Sequence, residues 1–242
     1  MIKPKWVVID KDFLQQADQN KLNEIIGGGS RLLLTARTAY EIDTTSESGV
    51  KQKCFKMLNV FEANVDIVEE DGADGLLGYE IQKRMPSSDV LQDYIRRLPT
   101  NLEQYLQSNN PSQWEEHFEK GPAENFRNIV SEINKIYSLN KDGLKDRNTV
   151  QDIYAKLTRQ IRTLPSAESI DERWIIFRIL QVDGWMVLNR AKVNDQNRLH
   201  DRIDSRIAAV ALLTKGLATN DRLIKNIFGF FCPTGRLYSG NL

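Results

Sequence analysis

The stretch that most restricts the fold lies near the end of the chain: HDRIDSRIAAVALLTKGLATND, from His200 to Asp221. Ile203, Ile207 and Val210 recur at helical spacing, which predicts an amphipathic helix with one apolar face. Asp201 and Asp204 are three residues apart and project from one side of that helix. Gly216 follows Lys215 where a helix C-terminus favours a residue tolerant of the left-handed conformation. Leu217-Ala218-Thr219 then reads as a strand that delivers Asn220 and Asp221 to its carboxyl end. Acids on the helix face and at the tip of the next strand can meet at one point.

The start of the chain carries the same kind of unit. Trp6-Val7-Val8-Ile9 is a short apolar run of strand type ending at Asp10, and a helix is expected from about Asp12, with Phe13, Leu14, Ala17, Leu22 and Ile25 as its apolar positions. Gly27-Gly28-Gly29 breaks it; without the lysine of a phosphate loop the triplet reads as a flexible turn. Arg31 to Thr35 is a second buried strand, a helix bearing Glu41 follows, and Val65-Asp66-Ile67-Val68 alternates like a third strand. Phe230-Phe231-Cys232, stopped by Pro233, reads as the last strand. Strands alternating with helices argue for an α/β fold with a largely parallel sheet.

Between Gly72 and about Asn197 strand signals vanish and helical periodicity takes over. Val150, Ile153, Leu157, Ile161 and Leu164 keep helical spacing, and the run from Trp174 to Leu188 is apolar on most sides, as a buried helix would be. The expected organisation is therefore an α/β core from residues 1–71 and 199–242, with residues 72–198 as a large all-helical insertion packed on it.

Charge and apolar length exclude some classes. The 33 basic and 33 acidic residues cancel, which removes any global electrostatic argument for nucleic acid. No apolar run approaches the roughly 20 residues that cross a bilayer. The start MIKPKWVVID turns acidic before a signal-peptide core develops, so a cytoplasmic protein is expected. Cys54 and Cys232 fit no metal or redox spacing and read as reduced core residues.

In an open parallel sheet, functional groups collect outside the carboxyl ends of the strands. Asp10 ends the first strand, Asp221 the fourth, Glu41 lies about two turns beyond the second, and Asp204 faces back from the helix before the fourth. Carboxylates gathered at one edge raise one another's pKa values unless a cation shares the site. Hard divalent cations prefer such oxygen ligands, and Mg²⁺ takes a few carboxylates plus waters and a substrate phosphate. Each acid also has a plainer reading. Thr38-Ala39-Tyr40-Glu41 fits a helix capping box, Asp10 and Asp221 suit turns or N-caps, and Asp201 and Asp204 suit a solvated face beside Arg202 and Arg206.

Four pieces in order, VVID at Val7–Asp10, LLLTARTAYEI with Glu41, DSRIAAVALLTKGLATND from Asp204 to Asp221, and GFFCP, resemble the PIN domain (PilT N-terminus) nucleases. The resemblance covers the two terminal segments and implies a three-layer α/β/α fold. It also implies that Asp10, Glu41, Asp204 and Asp221 ligate Mg²⁺ or Mn²⁺ in a single-strand-specific endoribonuclease. Asp201 would be an auxiliary acid, Asn220 a support for the ligands or a substrate contact, and Asp12 would occupy a position that is polar in many members. A toxin–antitoxin setting, an antitoxin-like or other protein partner and a homodimer follow as expectations of the same kind. The long helical segment has no counterpart in the compact toxin-type members, which leaves substrate selection and biological role open.

Lys156, Arg159 and Arg162, at three-residue intervals, form a ridge that can track a phosphate backbone, as can Arg222 beside Asp221; a solvated face is the commoner explanation. Trp174, Trp185 and Phe177 sit among Ile and Leu and read as core rather than base-stacking groups. Two competing functions remain. Asp10-Lys11-Asp12 followed by LLLT resembles the opening motifs of haloacid-dehalogenase-type phosphatases, although no acidic glycine–aspartate motif follows late in the chain. The other is a PIN-like module that binds RNA or protein without cleaving.

Overall fold

The computed structural model describes residues 5–68, 73–97, 141–158, 164–189 and 198–240, the side chains of 96, 97 and 198–202 excepted. The first strand, β1 (Trp6–Ile9), leads into α1 (Lys11–Gln16) and α2 (Gln19–Gly27). These are two helices where the sequence predicts one. Asp18 breaks the run by capping α2, its side chain accepting from the Lys21 N–H at 3.0 Å. Next come β2 (Arg31–Thr35), α3 (Ala36–Thr44), α4 (Ser48–Val60) and β3 (Val65–Val68), then α5 (Ala73–Lys83), α6 (Ser87–Tyr94) and β4 (Ile95–Arg97). After a 3₁₀ turn at Lys141–Lys145 follow α7 (Arg147–Thr158), α8 (Ile175–Asn189), α9 (Arg198–Thr214), β5 (Gly216–Ala218), α10 (Arg222–Phe231) and β6 (Arg236–Tyr238).

Among the described residues the strands form one sheet in the order β4-β3-β2-β1-β5-β6, parallel throughout except for the antiparallel β3–β4 pair. Its central strands are apolar on both faces because both are covered. Val8, Leu33, Val68 and Leu217 point into a core shared with α5, α7, α8, α9 and α10, while Val7, Ile9, Leu32, Leu34, Ile67 and Ala218 point into a second core with α1 to α4. The result is an α/β/α arrangement of three layers. Trp174, Trp185 and Phe177 belong to the first core. Among the described residues no helix is long and apolar enough to cross a membrane.

Three sequence expectations are corrected. Phe230 and Phe231 end a helix, and Cys232 is its C-cap; the last strand is Arg236–Tyr238. Ile224, Ile227 and Phe228 recur at helical spacing behind the Asp221 cap, and a short apolar run at the end of such a helix cannot be told from a strand by pattern alone. The segment read as all-helical contains β4, whose Ile-Arg-Arg has no apolar alternation and which is ordered by pairing with β3. Lys215, with φ of 60°, takes the left-handed position after α9, and Gly216 is already in the strand.

The middle of the chain is tied to the rest through Glu80. This α5 carboxylate is 1% exposed and takes hydrogen bonds from the N–H groups of Ser87 (2.9 Å), Ile175 (2.8 Å) and Ile176 (3.2 Å), and from the Ser87 hydroxyl (2.9 Å). It thus caps the N-terminus of α8 from 95 residues away. Burial pushes its pKa up to about 7 against the hydrogen bonds that lower it. At the amino ends of β1, β2 and β3, Asp66 is clamped by Arg31, through Nε at 2.6 Å and Nη2 at 2.7 Å, and by the Trp6 indole at 2.8 Å. Replacing Glu80 with Ala strands four donors, so urea unfolding should show a loss of about 3–5 kcal/mol; Glu80→Gln, which keeps one acceptor oxygen, should lose less than half as much.

Candidate active site

Strand β1 is the switch point of the sheet, with β2 and then β3 on one side and β5 and then β6 on the other. The chain leaves β1 and β5 in opposite directions, which makes their carboxyl ends the place where an open α/β sheet is expected to form a ligand crevice. Asp10 is the first residue beyond β1. Its N–H donates to Ala218 O at 3.0 Å, which seals the end of β1 to β5, and its side chain is 4% exposed. The Thr219 hydroxyl donates to Asp10 Oδ2 at 2.6 Å and accepts from the Asp221 N–H at 3.0 Å. One buried hydroxyl therefore sets the relation between the two acids.

Asp221 is the N-cap of α10, its Oδ1 accepting from the Ile224 N–H at 2.8 Å. The plainer reading of this residue holds locally, and capping leaves the carboxylate at the crevice. Asn220 ties three segments together. Its amide donates to Asp12 O at 3.2 Å, and its oxygen accepts from Gly240 N at 2.8 Å and Ser239 Oγ at 3.2 Å. A side chain at position 240 would meet the Asn220 amide at 2.8 Å, which is why this closure takes a glycine.

Glu41 stands in the second turn of α3. The capping-box reading fails: the N-cap is Thr35, whose hydroxyl accepts from the Thr38 N–H at 3.1 Å, so Thr38 is already inside the helix. Burial raises the Glu41 pKa to about 8, and the Asp10, Asp12 and Asp221 charges push the same way while Lys11 opposes them. Asp10 is raised to about 6, first by burial and then by Asp12 and Asp221, with the Thr219 and Lys11 hydrogen bonds pulling it down. Asp12 and Asp221 thus act on both Asp10 and Glu41, and Asp10 acts on Glu41.

The other sequence candidates fall differently. Asp204 is half-buried on α9. Asp201 lies in α9 with its side chain outside the described atoms, and Arg159 and Arg162 lie outside the described residues. Lys156 is exposed on α7, whose main helical neighbour is α8, and Arg222 is exposed at the start of α10, next to the crevice. Thr219 and Lys11 escaped the sequence reading as site residues. A hydroxyl between strand and acid, and a lysine between two aspartates, were the signals available.

These acids are oxygen donors, the ligands a hard divalent cation takes, and a cation would offset the burial and the like charges that raise Asp10 and Glu41. Among the described residues, however, no group of three or more His, Cys, Asp or Glu is disposed to hold an ion as it stands. No protein-family model, curated protein or solved structure matches the chain.

An acid whose pKa is raised by folding stabilises the folded state below its ordinary value and loses that contribution as pH rises. Stability from Asp10 and Glu41 should therefore fall between about pH 4 and pH 8 in metal-free buffer. Asp10→Asn and Glu41→Gln should each raise the Tm at pH 8 by roughly 2–6 °C and leave it almost unchanged at pH 4, as thermal scans with EDTA can measure.

Proposed function

We propose that this chain is a divalent-metal-dependent nuclease of PIN-domain type that cleaves single-stranded RNA in the cytoplasm. What supports the reading is that burial and the nearby charges of Asp12 and Asp221 raise both Asp10 and Glu41, the four acids coming from three strand–helix junctions on the carboxyl side of the sheet. Acids raised by burial with like charges beside them, as Asp10 and Glu41 are, mark a functional site more often than chance placement does. In this reading Asp10, Glu41 and Asp221 hold Mg²⁺ or Mn²⁺, with Asp204 contributing from α9. The ion, when bound, acidifies a water and stabilises charge on a phosphodiester during in-line displacement.

The chain's own residues supply the rest. Thr219 orients the Asp10 carboxyl, and Asn220 holds the β5–α10 turn against the start of α1. Lys11 contributes a positive charge beside Glu41, and in this reading it would meet a substrate phosphate. Cation binding has to displace protons from Asp10 and Glu41, so affinity should rise between about pH 6 and pH 8. The middle helices shape access to the crevice or dock a partner.

The lack, among the described residues, of three acids set to hold one ion favours a second reading: a PIN-like module that binds RNA or protein without cutting. Labelled single-stranded RNA incubated with Mn²⁺, with and without EDTA, separates the two. Metal-dependent products are expected. Asp10→Asn and Asp221→Asn should lower the rate more than about 100-fold while keeping the fold, since Asn caps a helix as well as Asp does. Full turnover by either variant removes the nuclease reading, and retention of RNA without products supports the second.

A further inference from the structure

Beside the acid centre lies a buried ionic network that the proposed chemistry does not use. Arg37, on α3 and 1% exposed, donates from Nη2 to Asp74 Oδ2 of α5 at 2.5 Å. Arg206, on α9, donates from Nε to the other oxygen of Asp74 at 2.9 Å. From Nη1 it reaches both oxygens of Asp183 on α8, at 3.0 and 3.1 Å, and Ser205 Oγ at 3.0 Å. The Ser205 hydroxyl donates to Asp183, which is 1% exposed. Two cations and two anions from four helices thus balance one another, Arg37 and Asp183 buried and Asp74 partly exposed.

The network's position relates it to the acids. Arg37 is one helical turn before Glu41, so both lie along one side of α3. Arg206 follows Asp204 by two residues on α9. Helix α5 begins a few residues after β3 ends, which puts Asp74 near the same edge of the sheet as Asp10 and Asp221. Burial alone would disfavour the charge on Arg206, and Asp183 and Asp74 more than restore it.

We infer that Asp74 and Asp183 are positioning residues for the acid centre: through Arg37 and Arg206 they hold α3 and α9, the helices bearing Glu41 and Asp204, in fixed relation. This rests on the metal-centre reading above. Apolar side chains of similar volume would stabilise the same helix contacts at least as well, without the desolvation cost of four charges. What a fork-and-carboxylate network adds is direction, since a guanidinium bonded to two carboxylates tolerates little rotation or sliding of either helix. The middle segment, which contributes Asp74 and Asp183, then sets the geometry of acids that lie outside it. Carboxylates placed by such partners lose roughly 10–100-fold in metal affinity when a partner is removed.

The test is Mn²⁺ affinity, read from the spin resonance of free Mn²⁺ during titration of the full chain, for wild type, Asp74→Asn, Arg37→Lys and Leu76→Ala. Leu76 is a buried α5 core residue, and its truncation destabilises without touching the network. Asp74→Asn should weaken binding about 10-fold or more, Arg37→Lys by a smaller factor, and Leu76→Ala by less than about twofold despite a lower Tm. Should Asp74→Asn fail to fold, Arg37→Lys decides the matter, because it keeps the charge and loses the directed Nη2 bond to Asp74. Wild-type affinity in the network variants overturns the inference, as does an equal loss in Leu76→Ala. A wild-type chain that binds no Mn²⁺ overturns the metal-centre reading itself, and the two failures are told apart by the wild-type titration alone.

Discussion

The structure depends on the junction where β1 lies against β5. There the Asp10 N–H reaches Ala218 O, and the Thr219 hydroxyl reaches the Asp10 carboxylate across 209 positions of sequence. This pairing closes the chain's two ends into one sheet and, through the same threonine, places Asp221 beside Asp10. A parallel pair needs a crossover, and here the crossover is most of the protein. The loop-closure entropy of so long a connection has to be offset by the cores the intervening helices build on both faces. Val8 and Leu217 on one side, Ile9 and Ala218 on the other, put this junction inside both cores.

Buried charge is treated differently in different parts of the molecule. Asp66 has a bidentate arginine and an indole, Glu80 has three backbone donors and a hydroxyl, and Asp74 and Asp183 share Arg206. These acids are matched by donors that offset desolvation. At the crevice the pattern reverses: acid is set against acid, and the group most raised, Glu41, faces three like charges and one lysine. Local disagreement with the rules that the rest of a fold obeys is where function is expected to lie.

Much of the α/β frame was legible because buried parallel strands leave short apolar runs bounded by acids or glycines, as at Val7 to Asp10 and Arg31 to Thr35. The errors have the same root. Phe230 and Phe231 are an apolar pair that ends a helix, and nothing in their immediate neighbourhood reveals the Asp221 cap that governs them. Strand β4 has no apolar pattern, since an edge strand held by backbone pairing needs none. Asp10 and Asp221 were legible as acids beyond strand ends because strand ends and helix starts are readable, and Glu41 as an acid on the helix after β2. Thr219 and Lys11 were not, because a hydroxyl or an amine becomes part of a site only through what stands across from it.

By itself the sequence determined which residues would be strand and which helix over most of the described chain, and that acids would stand at the strand ends. Those are local matters of periodicity and of the donors exposed at helix starts, which the neighbouring residues decide. Only the tertiary structure decided that β1 would lie between β2 and β5, that one threonine would link two acids, and that Glu80 would cap a helix 95 residues away. Strand order and buried polar pairing depend on which distant groups share the same dry space. That is a property of the whole packed chain, absent from any short stretch of it.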